Sequence, residues 1–336
     1  MIKKFSRQGL TGLGAILALG LTLTACGGST AAGGEEPAGA ASGAAGALTS
    51  LKVLRAPVFF EPLIIADREG YFEEQGLDVE IIDGGTAAQQ VAQLVSGKVD
   101  IAATGGVSTI AAVAQGMPIK AILGNQNANA EVITSGLLVE KDSPIQSYGD
   151  LEGKTVGLQG LKETTHLGSL LALEDAGVDT SSVEFVQLPL PGLNDALAKG
   201  QVDAAYNIGS FYPTGIGMGF RTIGSPGNEF LEGGPNAWYV SSDDFIAKNG
   251  EAIEKFNEAM KQATEYAIDN PEVVQELQIE FTEQDPEYIK SAPIQILTWQ
   301  INRAGTENTI NGLNKYKFID SEVAYEDVVW EGAPQN

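Results

Sequence analysis

The sequence is poor in the residues that build disulfides and metal sites. Its 336 residues include one cysteine, Cys26, and one histidine, His166. A single cysteine excludes an internal disulfide and a cysteine-based zinc site. A single histidine excludes the histidine clusters that commonly bind zinc. We therefore expect no metal site and no other bound cofactor.

Positive charge is also scarce. The chain has 20 lysines and arginines against 44 aspartates and glutamates, which gives a formal net charge of −24. A surface of this sign repels the phosphate backbone of nucleic acids, so we exclude a nucleic-acid partner. Beyond the N-terminal segment, no apolar run reaches the ~20 residues that a membrane-spanning helix needs.

The N-terminal segment has the layout of an export signal. A basic start at residues 3–7 is followed by apolar residues 10–23, and the segment closes with Leu23-Thr24-Ala25-Cys26. Such a layout is typical of secretory signals. The closing residues resemble the bacterial lipobox, whose cysteine is acylated and becomes the first residue of the mature protein. The resemblance implies a lipoprotein signal peptide over 1–25 and lipidation of Cys26. The acyl chains would anchor the protein to the extracytoplasmic face of a cell membrane.

A segment of low complexity follows the cysteine. Residues 26–50 consist almost wholly of Ala, Gly, Ser, Thr, Glu and Pro. Because this composition cannot bury apolar surface, it predicts a flexible tether. The remaining residues are numerous enough for a large core or for two domains.

The rest of the chain resembles itself at an offset of roughly 102 residues. Residues 94–103, LVSGKVDIAA, match residues 197–206, LAKGQVDAAY. In each copy, a helix with apolar residues at helical spacing ends at a glycine, Gly97 or Gly200. Glycine accepts the left-handed backbone of a helix C-cap. A short buried strand is predicted after each glycine.

Each copy of the repeat reads as strand, helix, strand, helix, strand. This alternation predicts a parallel sheet with helices on both faces, and two such lobes in succession suggest a ligand cleft between them. We therefore predict an α/β protein with two lobes, each a mainly parallel sheet flanked by helices. Lobe I is predicted at residues 51–139 and 241–330, and lobe II at 140–240. Residues 246–269 and 271–281 are predicted to be helices that return to lobe I.

Several motifs together resemble a known family. Residues 66–79, ADREGYFEEQGLDV, are similar to the opening motif of substrate-binding proteins of ABC importers. Residues 150–157 (DLEGKTVG), residues 236–239 (NAWY) and the two repeat segments follow in the expected order. The chain thus resembles the nitrate, aliphatic-sulfonate, taurine and thiamine-pyrimidine-precursor group over about residues 51–320. The resemblance implies a type II periplasmic-binding-protein-like fold. It also implies a monomer that captures a small organic solute and delivers it to an ABC permease.

The resemblance further implies where the ligand binds. Family members bind ligand on loops that follow strands of both lobes and at a helix start in the second lobe. Carried onto this sequence, the candidate ligand-binding residues are Phe59, Phe60, Glu61, Gly85, Thr86, Thr104, Gly105, Val107, Thr164, Thr165, His166, Asn207, Ser210, Phe211, Tyr212 and Trp238. Each threonine is either part of an oxyanion site or an ordinary helix cap. Each aromatic residue either faces the ligand or packs in the core.

The ligand itself is less well specified. Residues 207–213 lack the aspartate of the aromatic-Asp-Pro run that relatives often have, which weakens a sulfonate or taurine assignment. We expect a sulfonate, a taurine-like compound or a related anion, with a thiamine-pyrimidine precursor or an aromatic carboxylate as alternatives. A sensor that contacts a signalling receptor is a further alternative to transport.

The resemblance also bears on catalysis. Pyrimidine-forming relatives in yeast use a cluster of cysteines and histidines, and this chain has one residue of each type. No Ser-His-Asp spacing and no glycine-rich phosphate loop is visible in the sequence. We therefore expect a binding protein and not an enzyme.

Overall fold

The computed structural model describes residues 48–56, 59–209, 211–282 and 286–336. The predicted signal peptide, Cys26 and nearly all of the predicted tether lie outside these residues. Within the described ranges, no helix is long and apolar enough to cross a membrane.

Strands and helices alternate through both copies of the repeat. The strands are β1 Thr49–Arg55, β2 Leu77–Asp83, β3 Ile101–Gly105, β4 Ile119–Asn127, β5 Ser135–Val139, β6 Thr155–Leu158, β7 Glu184–Gln187, β8 Ala204–Ile208, β9 Arg221–Gly224 and β10 Pro235–Ser242. The helices are α1 Glu61–Arg68, α2 Tyr71–Glu74, α3 Ala87–Val95, α4 Gly106–Ala114, α5 Thr164–Asp175, α6 Leu193–Ala198, α7 Phe211–Gly217, α8 Pro226–Phe230, α9 Asp243–Asp269, α10 Pro271–Phe281, α11 Pro286–Ser291, α12 Arg303–Lys315 and α13 Tyr325–Val328.

The strands form two five-stranded sheets with matching layouts. The first has the order β2-β1-β3-β10-β4 and the second has the order β7-β6-β8-β5-β9. In the first sheet β1 is parallel to β2 and β3, while β10 runs antiparallel between β3 and β4. In the second sheet β6 is parallel to β7 and β8, while β5 runs antiparallel between β8 and β9. The predicted α/β fold of two lobes with mainly parallel sheets is confirmed.

The chain crosses from one sheet to the other one strand before each predicted lobe boundary. Strand β5 falls in the predicted lobe I segment 51–139 but belongs to the second sheet. Strand β10 falls mostly in the predicted lobe II segment 140–240 but belongs to the first sheet. Each is the antiparallel strand of its sheet and has no counterpart in the repeat motif, so the sequence pattern does not reveal the exchange. Below, lobe I is the part built on the first sheet and lobe II the part built on the second.

The first sheet is buried on both faces. Val53 and Leu54 are neighbours on β1, and they enter two different apolar clusters because successive strand side chains point to opposite faces. Phe256 of α9 and Leu277 of α10 lie in the cluster with Val53. The two tail helices therefore pack on lobe I as predicted, and Pro271 begins the second of them.

Helix α12 packs on the first sheet and also contacts α5 of lobe II. Leu167 of α5 in lobe II is fully buried in the cluster that contains Ile310 and Leu313 of α12. Nearby, the Lys315 ammonium group and the Tyr316 hydroxyl both donate hydrogen bonds to the Glu174 carboxylate. These contacts hold α5 against lobe I near both of its ends, at Leu167 and at Glu174.

Candidate functional site

A cavity of about 450 Å³ lies between the two sheets and is lined by both lobes. Lobe I contributes the loop after β1, the ends of β3 and β4, and the segment from α10 to residue 296. Lobe II contributes the start of α5, the end of β8 and the start of α8. A volume of this size fits a small organic molecule.

The structure brings part of the predicted ligand residues together at this cavity. Those that line it are Phe59, Phe60, Glu61, Gly105, Thr164, Thr165 and Phe211. Those that do not line it are Gly85, Thr86, Thr104, Val107, His166, Asn207, Tyr212 and Trp238. Ser210 and Cys26 lie outside the described residues.

The loop at Gly85 and Thr86 serves as a helix cap. The Thr86 hydroxyl accepts a hydrogen bond from the Gln89 N–H at 3.4 Å, and Gln89 Oε1 accepts one from the Thr86 N–H at 2.9 Å. This reciprocal capping box satisfies donors at the start of α3. The polar groups of the loop are therefore engaged in helix formation.

Other predicted residues are held in the cores of the lobes. Trp238 and Val107 are 0% and 2% exposed and belong to the lobe I core. Tyr212 packs against a lobe II cluster that contains Leu138 and Phe220. Thr104, the neighbour of the cavity-lining Gly105, is buried near the end of its strand, since successive strand residues face opposite ways.

His166 is a packing residue. Its imidazole ring centroid lies 4.5 Å from that of Phe185 and 4.9 Å from that of Phe318. Its Nδ1 accepts a hydrogen bond from the Lys162 N–H at 3.0 Å. Burial lowers the pKa of His166 to about 4, so the ring is neutral at physiological pH.

Each of two loops at the cavity contains one residue with a left-handed backbone conformation. Phe59 has φ 58° and Lys162 has φ 61°, a conformation that non-glycine residues rarely adopt. The Asn125 side-chain amide donates to the Phe59 carbonyl at 2.9 Å and holds that backbone in place. Neither residue is glycine or asparagine, so the sequence carries no signal for this geometry.

Glu61 is a buried carboxylate in the cavity wall. It is 5% exposed, and its Oε1 accepts a hydrogen bond from Gln278 Nε2 at 2.7 Å. Its Oε2 has no hydrogen-bond partner among the described residues. Burial raises the pKa of Glu61, and the Gln278 amide together with the backbone N–H groups of Glu61 and Phe60 only partly offsets that effect.

Glu163 is a second carboxylate in the wall, contributed by lobe II. It is half-buried and accepts a hydrogen bond from the Ser108 hydroxyl of lobe I at 3.4 Å. Burial raises the pKa of Glu163, and the Ser108 hydroxyl opposes that rise. Within the described ranges, neither Glu61 nor Glu163 forms a salt bridge.

No lysine, arginine or histidine is among the described residues that line the cavity. Arg55 pairs with Asp83, and its guanidinium carbon lies 5.2 Å from the centroid of the Phe60 ring. The ammonium group of Lys162 donates to the Lys317 carbonyl at 3.2 Å. The cations near the cavity are thus engaged with other groups.

Further polar atoms in the wall lack a protein partner. Gln126 and Thr165 are 6% and 7% exposed, and neither Gln126 Oε1 nor Thr165 Oγ1 has a hydrogen-bond partner in the described part of the chain. A buried polar atom that makes no hydrogen bond costs about 1–3 kcal/mol. A bound solute with hydrogen-bond donors would remove that cost at these atoms and at Glu61 Oε2 if the side chains turn them toward the cavity on binding.

The sequence did not predict the part of the cavity wall that the tail of the chain forms. Gln278, Tyr288 and Gln295 line it from the tail of the chain, and Tyr206 lines it from β8. The Tyr206 hydroxyl accepts a hydrogen bond from the Gly227 N–H at 3.0 Å. The tail lies beyond both copies of the repeat, so the repeat gave no signal that it reaches the cleft.

Replacing Glu61 by glutamine is expected to increase stability at neutral pH. Because burial raises the pKa of Glu61, the folded chain binds its proton more tightly than the unfolded chain does. Stability contributed by this group falls as pH rises from the ordinary glutamate range through the raised pKa. Glutamine keeps an acceptor for Gln278 and has no charge to bury, so Glu61→Gln should have a higher free energy of unfolding than the wild type at pH 7. The gain should disappear at acid pH.

Urea unfolding at a series of pH values measures this gain. Glu73→Gln is the control, because Glu73 is an exposed carboxylate on α2 and its removal should leave stability nearly unchanged. A Glu61→Gln chain that is no more stable than wild type at neutral pH would contradict the assignment of Glu61 as a carboxylate whose burial destabilises its charged form.

Two sheet-based lobes with a cavity of solute size between them define a class of protein. This is the fold of periplasmic solute-binding proteins. The periplasmic aliphatic sulphonate binding protein SsuA of Escherichia coli shares it, with a TM-score of 0.72 and 18% sequence identity over 85% of this chain and 94% of that chain.

Residues 59–274 match the family model described as NMT1/THI5 like, and the chain belongs to this family. A 4-amino-5-hydroxymethyl-2-methylpyrimidine phosphate synthase of Saccharomyces cerevisiae, THI13, is 27% identical over 225 residues, which are 62% of this chain and 64% of that protein. The taurine-binding periplasmic protein of Escherichia coli K12 is 29% identical over 220 residues, which are 63% of this chain and 65% of that protein. The chain thus matches just under two thirds of the length of these relatives.

The relatives correct one prediction. The synthase of Saccharomyces cerevisiae and proteins of the same name in Aspergillus parasiticus and Candida albicans are enzymes, at 27%, 24% and 25% identity. The prediction that this chain is not an enzyme is therefore wrong, because its family contains enzymes that match most of its folded part. The small number of cysteines and histidines is too weak a basis for excluding catalysis on this scaffold.

Proposed function

We propose that this protein is the lipid-anchored, extracytoplasmic solute-binding component of an ABC importer. It captures one small organic solute in the cavity between its lobes and delivers that solute to a membrane permease. The observation that carries the proposal is the cavity itself, which both lobes line and in which buried polar atoms lack protein partners. The fold and the taurine-binding relative support the same role.

Closure of the lobes around the solute is the expected mode of capture. Groups from both lobes line one cavity, so a solute there can contact Glu61 of lobe I and Thr165 of lobe II together. A solute that contacts both lobes favours their closed arrangement by its difference in affinity for the two arrangements. The permease would then recognise the closed form.

A thermal denaturation screen tests solute capture. The panel contains aliphatic sulfonates, taurine, pyrimidines and aromatic carboxylates, which are the classes predicted from the sequence. A solute at 100 times its Kd adds about 2.7 kcal/mol to the free energy of unfolding. We expect such a shift from a solute of the panel or from an organic cation added to it, with one solute bound per chain by calorimetry. If neither the panel nor an organic cation shifts the midpoint, the proposal is wrong.

Two neighbouring aromatic residues provide a matched pair of variants for this screen. Phe211 lines the cavity, whereas Tyr212 packs in lobe II. Phe211→Ala is expected to reduce the solute-induced shift, and Tyr212→Ala should keep the shift while lowering the starting midpoint. The reverse result would move the binding site away from this cavity.

The lipid anchor is tested by Cys26→Ser. Serine cannot form the thioether that carries the acyl chains, so the variant should leave the membrane fraction or accumulate as unprocessed precursor. Detergent phase partitioning of the two forms measures this. Normal processing and equal membrane retention of the variant would contradict the proposal that Cys26 carries a lipid anchor.

A second candidate function is synthesis of 4-amino-5-hydroxymethyl-2-methylpyrimidine phosphate, which is favoured by the named relatives. The purified chain would be incubated with the small-molecule fraction of a cell extract, and the products followed by mass spectrometry. Formation of this pyrimidine phosphate with repeated turnover would favour the synthase, and recovery of an unchanged bound solute would favour capture.

A further inference from the structure

The two lobes present a glutamate at corresponding places in the fold. Helix α1 follows β1 and helix α5 follows β6, strands that occupy the same place in the two sheets, and each helix begins two residues after a left-handed residue, Phe59 or Lys162. Glu61 is the first residue of α1, and Glu163 is the N-cap residue of α5. Both glutamates line the cavity between the lobes. The cavity therefore receives one carboxylate from each lobe, at positions one residue apart relative to the start of the helix.

The carboxylate of Glu61 is incompletely satisfied by the protein. The side chain is 5% exposed, and Oε2 has no hydrogen-bond partner among the described residues. A buried carboxylate without a counter-charge is unfavourable, and a cation or an N–H donor placed against it relieves that cost. The same kind of donor would satisfy Gln126 Oε1, another unpartnered oxygen of the wall.

The charge of the cavity opposes an anion. None of the described residues in the wall is a lysine, arginine or histidine, and residues 57–58, 210 and 283–285 contain none in the sequence. Three helices of eight or more residues begin at the wall, α1 with Glu61, α4 after Gly105 and α5 after Glu163, and the start of each is equivalent to about half an elementary positive charge. The ionised carboxylates of Glu61 and Glu163 lie at two of these helix starts, and their two negative charges outweigh the dipoles.

The remainder of the wall suits an apolar, flat body. Phe59, Phe211 and Tyr288 present aromatic rings, and Ile289 and Ile296 add aliphatic surface. We infer that the cavity binds an organic cation whose N–H groups are shared between Glu61 of lobe I and Glu163 of lobe II. This inference rests on the proposed solute-binding function and replaces the predicted anion with a cation.

Three compounds with the same ring and different charge test the inference. Benzamidine is a cation with N–H donors, benzamide is neutral, and benzenesulfonate is an anion. Calorimetric titration of the full chain in detergent is expected to show benzamidine binding at least tenfold tighter than benzamide. Benzenesulfonate is expected to bind at least tenfold more weakly than benzamide.

Variants assign the effect to the two carboxylates. Glu61→Gln and Glu163→Gln should each weaken benzamidine binding at least tenfold while changing benzamide binding less than threefold. A purely structural role would weaken the binding of both compounds equally. Glu73→Gln removes the same charge from an exposed site on lobe I and should alter neither affinity.

The results that overturn the inference are distinct from those that overturn solute capture. Benzenesulfonate binding as tightly as benzamidine, equal effects of the glutamine variants on both compounds, or no benzamidine binding by a folded chain would each overturn it. Suppose that an anionic solute of the screen binds once per chain and that Phe211→Ala abolishes its binding. This result would contradict the inferred cationic ligand but would support the proposed capture of a solute in this cavity. Failure of the whole screen together with benzamidine would overturn both.

Discussion

Replacing Trp238 by alanine is expected to lower the free energy of unfolding by about 3–5 kcal/mol. Trp238 is a residue of β10, and its indole is 0% exposed in the lobe I core. Its removal therefore leaves a large cavity that the sheet cannot close. Chemical denaturation followed by far-ultraviolet circular dichroism measures the loss. Its size would be among the largest that a single substitution produces in this chain.

Trp238→Phe is the matched control for this prediction. The indole N–H has no hydrogen-bond partner among the described residues, so a phenyl ring removes volume but breaks no polar contact. We expect a loss well below that of the alanine variant. A Trp238→Ala chain that keeps wild-type stability but loses solute binding would place the indole at the ligand, as the sequence suggested, and contradict its core position.

Gly168→Ala is expected to damage both stability and solute binding. A Cβ at Gly168 would lie 2.6 Å from the backbone N and Cα of Gly227, and backbone atoms cannot yield as a flexible side chain does. Helix α5 and the start of α8 would have to separate, at a cost of about 1–3 kcal/mol or more. The start of α8 carries Gly227 and Asn228 of the cavity wall, so the separation also deforms the site.

The same two measurements test Gly168→Ala, namely denaturation and titration with a solute from the screen. We expect at least a tenfold loss of affinity, because the Tyr206 hydroxyl also loses its N–H donor at Gly227. Gly192→Ala is the control, since a Cβ there meets nothing within 4 Å and the φ of −92° suits any residue. Equal behaviour of the two variants would contradict the tight approach of α5 and α8.

The sequence predicted the lobes well because their signal is local and repeated. The glycines at the ends of the α3 and α6 regions, Gly97 and Gly200, have φ of 68° and 64°, as a helix C-cap requires. The apolar strands after them are the buried β3 and β8. Strands β5 and β10 were placed in the wrong lobe, because which sheet an antiparallel strand joins depends on pairing between distant residues.

The cavity was predicted less well for a related reason. The sequence indicated the loops after strands but not the direction of each side chain. Phe59 and Phe211 face the cavity, whereas Tyr212 and Trp238 face a core. The choice between neighbours such as Phe211 and Tyr212 depends on backbone geometry, which residue type alone does not specify. The tail wall around Tyr288 carries no repeat signal and was not foreseen.

Hydrogen–deuterium exchange with and without the most stabilising solute of the screen tests the central claim, that the solute is captured between the lobes. Amide exchange should become slower in two separate segments, residues 59–66 of lobe I and residues 159–168 of lobe II, because the bound solute contacts both. Protection should also appear at residues 286–296 of the tail wall. Protection confined to one lobe, or protection outside all three segments, would contradict capture in this cavity.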